Sequence, residues 1–241
     1  MSRRNVASYI VLALVVILSV LGYLSSTHDT TTKPGSDTPV AFTLTADQVA
    51  TAKQELAELT VAEVPADLPK YQREEQFGRV WTDKAVGVNL AGNGCDTRND
   101  ILARDMVNIT KDGDCTVTSG TLPIDPYTGE KNVAWTRGKK TSSAIQIDHV
   151  VALEDVWRSG GYKMEQDTRV AIANDPINLV AADGPTNGAK GSKSADQWVP
   201  PFDKVHCYYA ASQIQVKHKY GLSVTQPEHD ALEKYISTCN V

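Results

Sequence analysis

The amino-acid sequence predicts an α+β domain that is mostly helical, stapled by disulfides and preceded by an N-terminal transmembrane or signal helix. Three observations lead to this prediction. Apolar and polar residues alternate from Ile145 towards Val151, which is the period of a half-buried strand. The last part of the chain has the pattern of two helices separated by Gly221, a residue type that commonly follows a helix. Four cysteines follow an uncharged, apolar run of about 19 residues near the amino end.

Composition limits the classes of function that the chain can have. The 241 residues are 41% hydrophobic and carry a formal net charge of -5, which is ordinary for a globular domain with a sizeable core. A general nucleic-acid coat protein is usually basic, so this balance argues against that class. Any binding of a polyanion must therefore depend on a local patch or on a metal.

The amino end predicts export of the chain. Arg3 and Arg4 precede an uncharged stretch from Val6 to Leu24, which approaches the roughly 20 apolar residues that span a bilayer. Residues 1–24 are thus a signal anchor or a signal peptide, and the anchor is favoured because no Ala-x-Ala-like cleavage site follows. In either case the remainder is extracytoplasmic: a single-pass membrane protein with its carboxy-terminal domain outside, or a secreted one.

The rest of the chain divides into three further segments. Residues 25–44 are rich in Ser, Thr, Asp, Pro and Gly and predict a flexible stalk. Residues 45–65 predict a helix and a linker, because Thr45 and Gln48 form a capping-box pattern and Pro65 follows the helix. Residues 66–241 then form the globular domain.

The cysteines predict two disulfides in an exported chain. The sequence allows three ways of pairing Cys95, Cys115, Cys207 and Cys239. We expect the local pairing, Cys95–Cys115 and Cys207–Cys239. The second pair is also favoured by the predicted carboxy-terminal helical hairpin, since Cys207 opens its first helix and Cys239 closes its second.

Periodicity and turn residues predict the order of elements within the domain. The expected helices span residues 46–59, 99–108, 153–159, 165–173 and 208–220, with a last helix after the Thr225-Gln-Pro-Glu capping pattern. The expected strands span residues 115–120, 131–135, 145–151 and 177–182.

Residues whose side chains can bind a metal or transfer a proton are concentrated between positions 145 and 193. Asp148 and His149 lie at the end of one predicted strand, and adjacent strand residues face opposite sides. We therefore expect one of the two to bind a metal and the other to move a proton. Asn178 belongs to a second predicted strand, and a turn then brings Asn187 and Lys190 to a short helical segment.

This order of strand, strand and helix resembles the HNH endonucleases, whose core is called the ββα-metal fold. From Tyr71 to the carboxy end, about 170 residues, the chain more specifically resembles a family of exported HNH-type proteins. The matching stretches are Gly94-Cys-Asp-Thr-Arg-Asn-Asp100, Asp125-Pro-Tyr-Thr-Gly129, Ile147-Asp-His-Val150, Ala173-Asn-Asp-Pro176 with Asn178-Leu179, and Asn187 with Lys190-Gly191.

The resemblance implies a metal-dependent endonuclease that hydrolyses phosphodiester bonds outside the cytoplasm, with DNA as the expected substrate and RNA as a second candidate. His149 would be the general base that activates water, because an imidazole can accept a proton near neutral pH. Asp148 and Asn187 offer hard oxygen ligands for a single Mg²⁺ or Mn²⁺ ion. Asn178 would position His149 or its surrounding loop, and Lys190 would offset charge on the scissile phosphate. No small-molecule cofactor is expected.

The chain departs from the family's usual pattern at three points. Ala152 occupies a place where a proline often follows the Asp-His motif, Asn187 replaces a histidine, and no Cys-x-x-Cys pair is present. Asparagine at that place disfavours tight zinc binding. Without a Cys-x-x-Cys pair to hold a structural zinc, the disulfides must stabilise the domain instead. The alternative function is a non-catalytic exported envelope protein that binds cell-wall polymer or a partner. For Arg98 and Arg104 we expect ion pairs with Asp100 and Asp105 rather than phosphate contacts.

Overall fold

The computed structural model describes residues 42–138 and 141–240. The predicted membrane or signal helix, residues 1–24, and most of the predicted stalk, residues 25–44, lie outside these ranges. Among the helices that are described, none is both long and apolar enough to cross a membrane.

The described residues confirm a mixed α+β domain, with eight α-helices and five β-strands. The helices are Ala46–Glu58 (α1), Arg73–Phe77 (α2), Thr97–Asp105 (α3), Leu153–Arg158 (α4), Gln166–Asn174 (α5), Gly184–Lys190 (α6), His206–Lys219 (α7) and Gln226–Ile236 (α8). The strands are Val107–Asp112 (β1), Thr116–Ile124 (β2), Lys131–Thr136 (β3), Ile145–His149 (β4) and Leu179–Asp183 (β5).

The strands form two antiparallel sheets. One has the order β1-β2-β3, and the other consists of β4 and β5 alone. Strand β1 differs from the prediction, which continued the preceding helix to Asn108. Helix α3 instead ends at Asp105, where Met106 turns to an extended conformation and caps the helix with its backbone N–H. Only Val107 and Ile109 of β1 alternate with polar residues, and its last three residues are polar and exposed, so the alternation is too short to mark a half-buried strand.

Helix α1 has the capping box that the sequence predicts. The Thr45 side chain accepts a hydrogen bond from the Gln48 backbone, and the Gln48 side chain accepts one from the Thr45 backbone. We predicted residues 45–65 as a segment separate from the globular domain. In the structure, Ala52 and Leu56 belong to a buried apolar cluster that also includes Ile214 of α7 and other residues of α7 and α8, so helix and domain share this core.

Both predicted disulfides are confirmed. Cys95–Cys115 and Cys207–Cys239 have Cα–Cα distances of 5.2 and 5.1 Å. The first ties the segment before α3 to the start of β2, and the second ties the start of α7 to the segment after α8. Closing loops of this length stabilises a domain by about 3–4 kcal/mol in the chain-entropy model.

The carboxy-terminal hairpin differs from the predicted capping box in one side chain. Thr225 accepts a hydrogen bond from the Glu228 backbone, as expected. The Glu228 carboxylate turns inward instead, and its Oε1 lies 2.8 Å from the fully buried Lys217 ammonium, which is also 3.0 Å from Asp155 Oδ2. Burial raises the Glu228 pKa to about 7, although Lys217 acts in the opposite direction.

Candidate active site

Strands β4 and β5 and helix α6 bring the predicted site residues together. The two strands pair so that Asp148 lies opposite Val180 and His149 opposite Leu179. Strand β5 ends at Asp183, whose side chain caps α6 by accepting a hydrogen bond from the Thr186 backbone at 2.8 Å. Helix α6 therefore begins at the end of the strand.

Gly184 allows this tight junction between β5 and α6. A Cβ atom at this position would lie 1.9 Å from the Ser143 carbonyl oxygen, so no other residue type fits without movement of the backbone. The close approach holds the start of α6 against the segment that leads into β4. As a result, Asn187 and Lys190 of α6 lie next to the functional end of β4.

His149 is buried and held on two sides. Its Nε2 lies 2.9 Å from the Ala173 carbonyl oxygen, and its ring stacks on Trp81 with centroids 5.6 Å apart and planes inclined by 10°. A carbonyl can only accept a hydrogen bond, so Nε2 carries the proton and Nδ1 has the lone pair. Burial lowers the His149 pKa to about 3, with smaller effects in the same direction from Arg73 and Lys190. The imidazole is consequently neutral at physiological pH.

Asp148 is buried with its two carboxylate oxygens in different situations. Oδ2 accepts hydrogen bonds from the Tyr127 hydroxyl and from the Lys190 ammonium, the latter at 2.8 Å. Oδ1 accepts no hydrogen bond from the described residues and is not among their fully buried unpaired atoms. Asp148 lines an open cleft of about 640 Å³, and its second oxygen remains available as an acceptor.

The structure gives Lys190 a different role from the predicted one. Its side chain is 0% exposed, and its ammonium donates to Asp148 Oδ2 at 2.8 Å and to the His149 carbonyl oxygen at 2.6 Å. An ammonium enclosed in this way cannot contact a phosphate that arrives from solvent. The prediction that Lys190 offsets charge on the scissile phosphate requires an ammonium that solvent can reach, and this one is enclosed.

Asn178 is fully buried and forms hydrogen bonds with the backbone just beyond His149. Its side-chain oxygen accepts from the Val151 backbone N–H at 2.8 Å, and its amide donates to the carbonyl oxygens of Val151 and Ile172, both at 3.3 Å. Its own carbonyl oxygen accepts from the Val150 backbone N–H at 2.8 Å. Asn178 is therefore hydrogen-bonded to the backbone of both residues that follow His149.

Asn187 is half-buried and lines the same cleft as Asp148 and His149. Its amide nitrogen donates to the Gln146 side-chain oxygen at 2.9 Å, which leaves the Asn187 oxygen as an acceptor. Gln146 and Asp148 are two residues apart on β4 and face the same side of the strand. Gln146 therefore orients Asn187 beside the predicted metal ligand.

The donor set fits a hard divalent cation. One carboxylate oxygen and one amide oxygen, both without a partner in the described residues, belong to side chains that line one cleft, and oxygen ligands suit Mg²⁺ or Mn²⁺. No group of three or more His, Cys, Asp or Glu side chains in residues 42–138 and 141–240 could hold a metal. With two protein ligands, a bound ion would keep most of its water ligands, as Mg²⁺ usually does.

Sequence reasoning did not assign three residues of this site. Trp81 stacks on His149, Tyr127 contacts Asp148, and Gln146 contacts Asn187. Gln146 could have been identified from the period of two along β4. Tyr127 belongs to a stretch that was interpreted only as a turn, and Trp81 precedes the sheet by more than 60 positions, so neither contact leaves a local signal.

The two arginines singled out in the sequence behave differently from each other. Arg104 pairs with Asp105 at 2.6 Å, as expected. Asp100 accepts a hydrogen bond from Asn93 at 3.0 Å, and Arg98 instead lines the cleft beside Asp148 and His149. Arg98 is half-buried, and burial together with the nearby Arg137 lowers its pKa.

Two comparisons place the chain among known proteins. A family profile described as the C-terminal domain of GmrSD restriction endonucleases matches residues 96–235, which include every predicted site residue. An uncharacterized secreted protein of Arthroderma benhamiae is 39% identical over 154 residues, which cover 63% of this chain and 71% of that protein.

Proposed function

The chain belongs to the HNH-type family of GmrSD restriction endonuclease C-terminal domains, and on this premise we propose that it is a metal-dependent endonuclease. The proposed reaction is hydrolysis of phosphodiester bonds in DNA, with RNA as a second substrate. One observation supports it above the others. The side chains of Asp148, His149 and Asn187 line a single cleft, and an acceptor atom of each has no partner in the described residues.

His149 is proposed as the general base. Its Nδ1 accepts a proton from a water molecule while the water oxygen forms a bond to phosphorus. The bond from phosphorus to the leaving oxygen then breaks, and the leaving oxygen takes a proton from solvent. The hydrogen bond to Ala173 and the stack on Trp81 hold the imidazole in one tautomer and one orientation, so that the lone pair does not have to be reoriented during the reaction.

Asp148 and Asn187 are proposed to hold one Mg²⁺ or Mn²⁺ ion. When bound, such an ion offsets the negative charge that grows on the phosphate and its leaving oxygen. Asn178 is proposed to act at a distance, by fixing the backbone that follows His149.

Arg98 takes over the phosphate contact that the sequence suggested for Lys190. It lines the cleft together with Arg73, whereas the Lys190 ammonium is enclosed. A guanidinium can donate two parallel hydrogen bonds to phosphate oxygens. Glu74, Glu154 and Asp148 line the same cleft, so the proposed phosphate contact depends on where Arg98 lies and not on an excess of positive charge.

The site of action is proposed to be extracytoplasmic. Two disulfides are formed among the described residues, and disulfides persist mainly in oxidising compartments. The relative from Arthroderma benhamiae is described as secreted. We propose that residues 1–24 direct export, either as an anchor or as a cleaved signal, and that residues 25–44 link them to the domain.

Incubation of the purified full-length chain with supercoiled plasmid tests this function. Both disulfides must be formed, and Mg²⁺ or Mn²⁺ is supplied with and without EDTA. We expect nicking that EDTA and Asp148→Asn each abolish, and a labelled single-stranded RNA tests the second substrate. Absence of cleavage with either metal would refute the nuclease function and favour a non-catalytic envelope protein that binds polymer or a partner.

A further inference from the structure

The stretch Asp125-Pro-Tyr-Thr-Gly129 forms a turn with a fixed conformation. The Asp125 carboxylate accepts the backbone N–H groups of Tyr127 and Thr128, both at 2.8 Å. Gly129 has a φ of +75°, and a Cβ atom there would lie 2.6 Å from the Phe202 ring, so glycine satisfies both constraints. The turn thus has one defined geometry, although none of its residues lies on β4, β5 or α6.

This turn places one side chain beside the proposed metal ligand. Tyr127 is 1% exposed, and its ring packs edge-on against Trp198 and Tyr209, with centroids 5.2 and 6.2 Å away. Its hydroxyl donates to Asp148 Oδ2, the same oxygen that accepts from Lys190. Two buried donors from distant parts of the chain therefore converge on one oxygen of one carboxylate.

We propose that Tyr127 and Lys190 are positioning residues that dictate how Asp148 binds the cation; this inference rests on the proposed function. Rotation of the carboxylate would break both hydrogen bonds at once, so Oδ2 stays with its donors and Oδ1 is the oxygen that remains for a ligand. Asp148 then offers a single oxygen and cannot chelate with both. A one-oxygen contact leaves more coordination positions for water and for a phosphate oxygen, which a hydrolytic site needs.

The Lys190 ammonium also joins the two functional residues of β4. It donates to the Asp148 side chain and to the His149 backbone carbonyl, at 2.8 and 2.6 Å. The two strand residues face different sides, and the lysine, which does not line the cleft, contacts both of them. This explains why a lysine is completely buried here without any contact to solvent.

The chain provides a matched control for Tyr127. Tyr209 lies in the same aromatic cluster and is 3% exposed, but its hydroxyl accepts from Gln213 rather than contacting Asp148. Removal of either hydroxyl perturbs the same cluster. Only the loss of the Tyr127 hydroxyl removes a hydrogen-bond donor from the Asp148 carboxylate.

Mn²⁺ binding to the full-length chain, measured by the electron paramagnetic resonance signal of the free ion, tests the proposal without relying on cleavage. The variants are Tyr127→Phe, Tyr209→Phe and Asp148→Asn, and thermal unfolding in EDTA reports the stability of each. We expect Tyr127→Phe to weaken Mn²⁺ binding about 10-fold to 100-fold, the usual effect of losing a residue that orients a ligand. Tyr209→Phe should bind Mn²⁺ as the wild type does, and Asp148→Asn should lose binding.

The outcomes distinguish the positioning role of Tyr127 from the metal site itself. If Tyr127→Phe and wild type bind Mn²⁺ equally while Asp148→Asn does not bind it, the positioning role is wrong and the metal site remains. If Tyr127→Phe and Tyr209→Phe weaken binding to the same extent, the effect comes from the aromatic cluster and the positioning role is again refuted. If the wild type itself fails to bind Mn²⁺, both the proposed metal-dependent function and the positioning role are refuted.

Discussion

Lys190→Met should destabilise the protein strongly, although a lysine at the end of a short helix is ordinarily replaceable. The substitution removes the hydrogen bonds to the Asp148 carboxylate and to the His149 carbonyl oxygen. The Asp148 side chain is only 8% exposed, so water cannot replace the lost partner. Removal of one member of a buried ion pair costs about 3–5 kcal/mol. We expect a value near the lower end, because Tyr127 still donates to the same carboxylate.

Urea unfolding of the metal-free protein measures this loss. Lys193→Met is the matched control, since Lys193 is exposed, lies three residues further on and should cost about 0.5 kcal/mol or less. Combination of Lys190→Met with Asp148→Asn should recover part of the loss, because a neutral amide tolerates burial better than an unpaired carboxylate. A loss for Lys190→Met no greater than that for Lys193→Met would show that the ammonium is not buried against Asp148.

Three further predictions concern stability and substrate binding. Glu228 has a folded-state pKa near 7, above its usual value, so the free energy of unfolding should fall by about 2–3 kcal/mol as the pH rises from 4.5 to 7. Glu228→Gln should flatten this slope in urea titrations, and an unchanged slope would contradict the assignment. Replacement of Cys207 and Cys239 by serine should cost about 3–4 kcal/mol, measured in the same way; a loss below 1 kcal/mol would refute it. Arg98→Ala should raise KM about tenfold with kcat nearly unchanged, and an equal fall in kcat would place Arg98 in the chemical step instead.

Much of the site could be predicted because its residues follow one another along a simple pattern. Asp148 and His149 end a strand whose alternation is visible in the sequence. Asn178 lies in the turn just before β5, not on the strand as predicted, and Asn187 lies on α6. The structure places the side chains of Asp148, His149 and Asn187 on one cleft. Periodicity located Asp148 and His149 at a strand end. The roles of Asn178 and Asn187 came from the resemblance to HNH endonucleases, because two helices, α4 and α5, separate β4 from β5 along the chain.

The residues that support this site could not be read from local patterns. Lys190 was misjudged because burial depends on which side chains cover it, and Tyr127 lies 21 positions before Asp148. Trp81 has a φ of 57°, a conformation that non-glycine residues seldom adopt, and no sequence pattern predicts that it stacks on His149. Each of these contacts depends on packing between distant segments.

In the fold, too, local sequence patterns predicted some elements, whereas features that depend on contacts between distant segments were not predicted. The helix from Ala46 follows from its capping residues, and the disulfides match the local pairing chosen among the three that the sequence allows. Strand β1 was missed because its residues are mostly polar and exposed at the edge of a sheet. The Glu228 side chain left its predicted capping position because the buried Lys217 provides a stronger partner than a helix terminus that solvent can reach.

The rate of plasmid nicking by His149→Ala tests the central claim most directly. The measurement uses the full-length chain in Mn²⁺, with His206→Ala as the matched control, because His206 contacts the Pro200 carbonyl oxygen away from the cleft. General-base catalysis contributes roughly 10²–10⁴-fold, so we predict a fall of at least about 100-fold for His149→Ala and none for His206→Ala. A His149→Ala rate within about tenfold of the wild type would contradict the proposal that this histidine activates the attacking water.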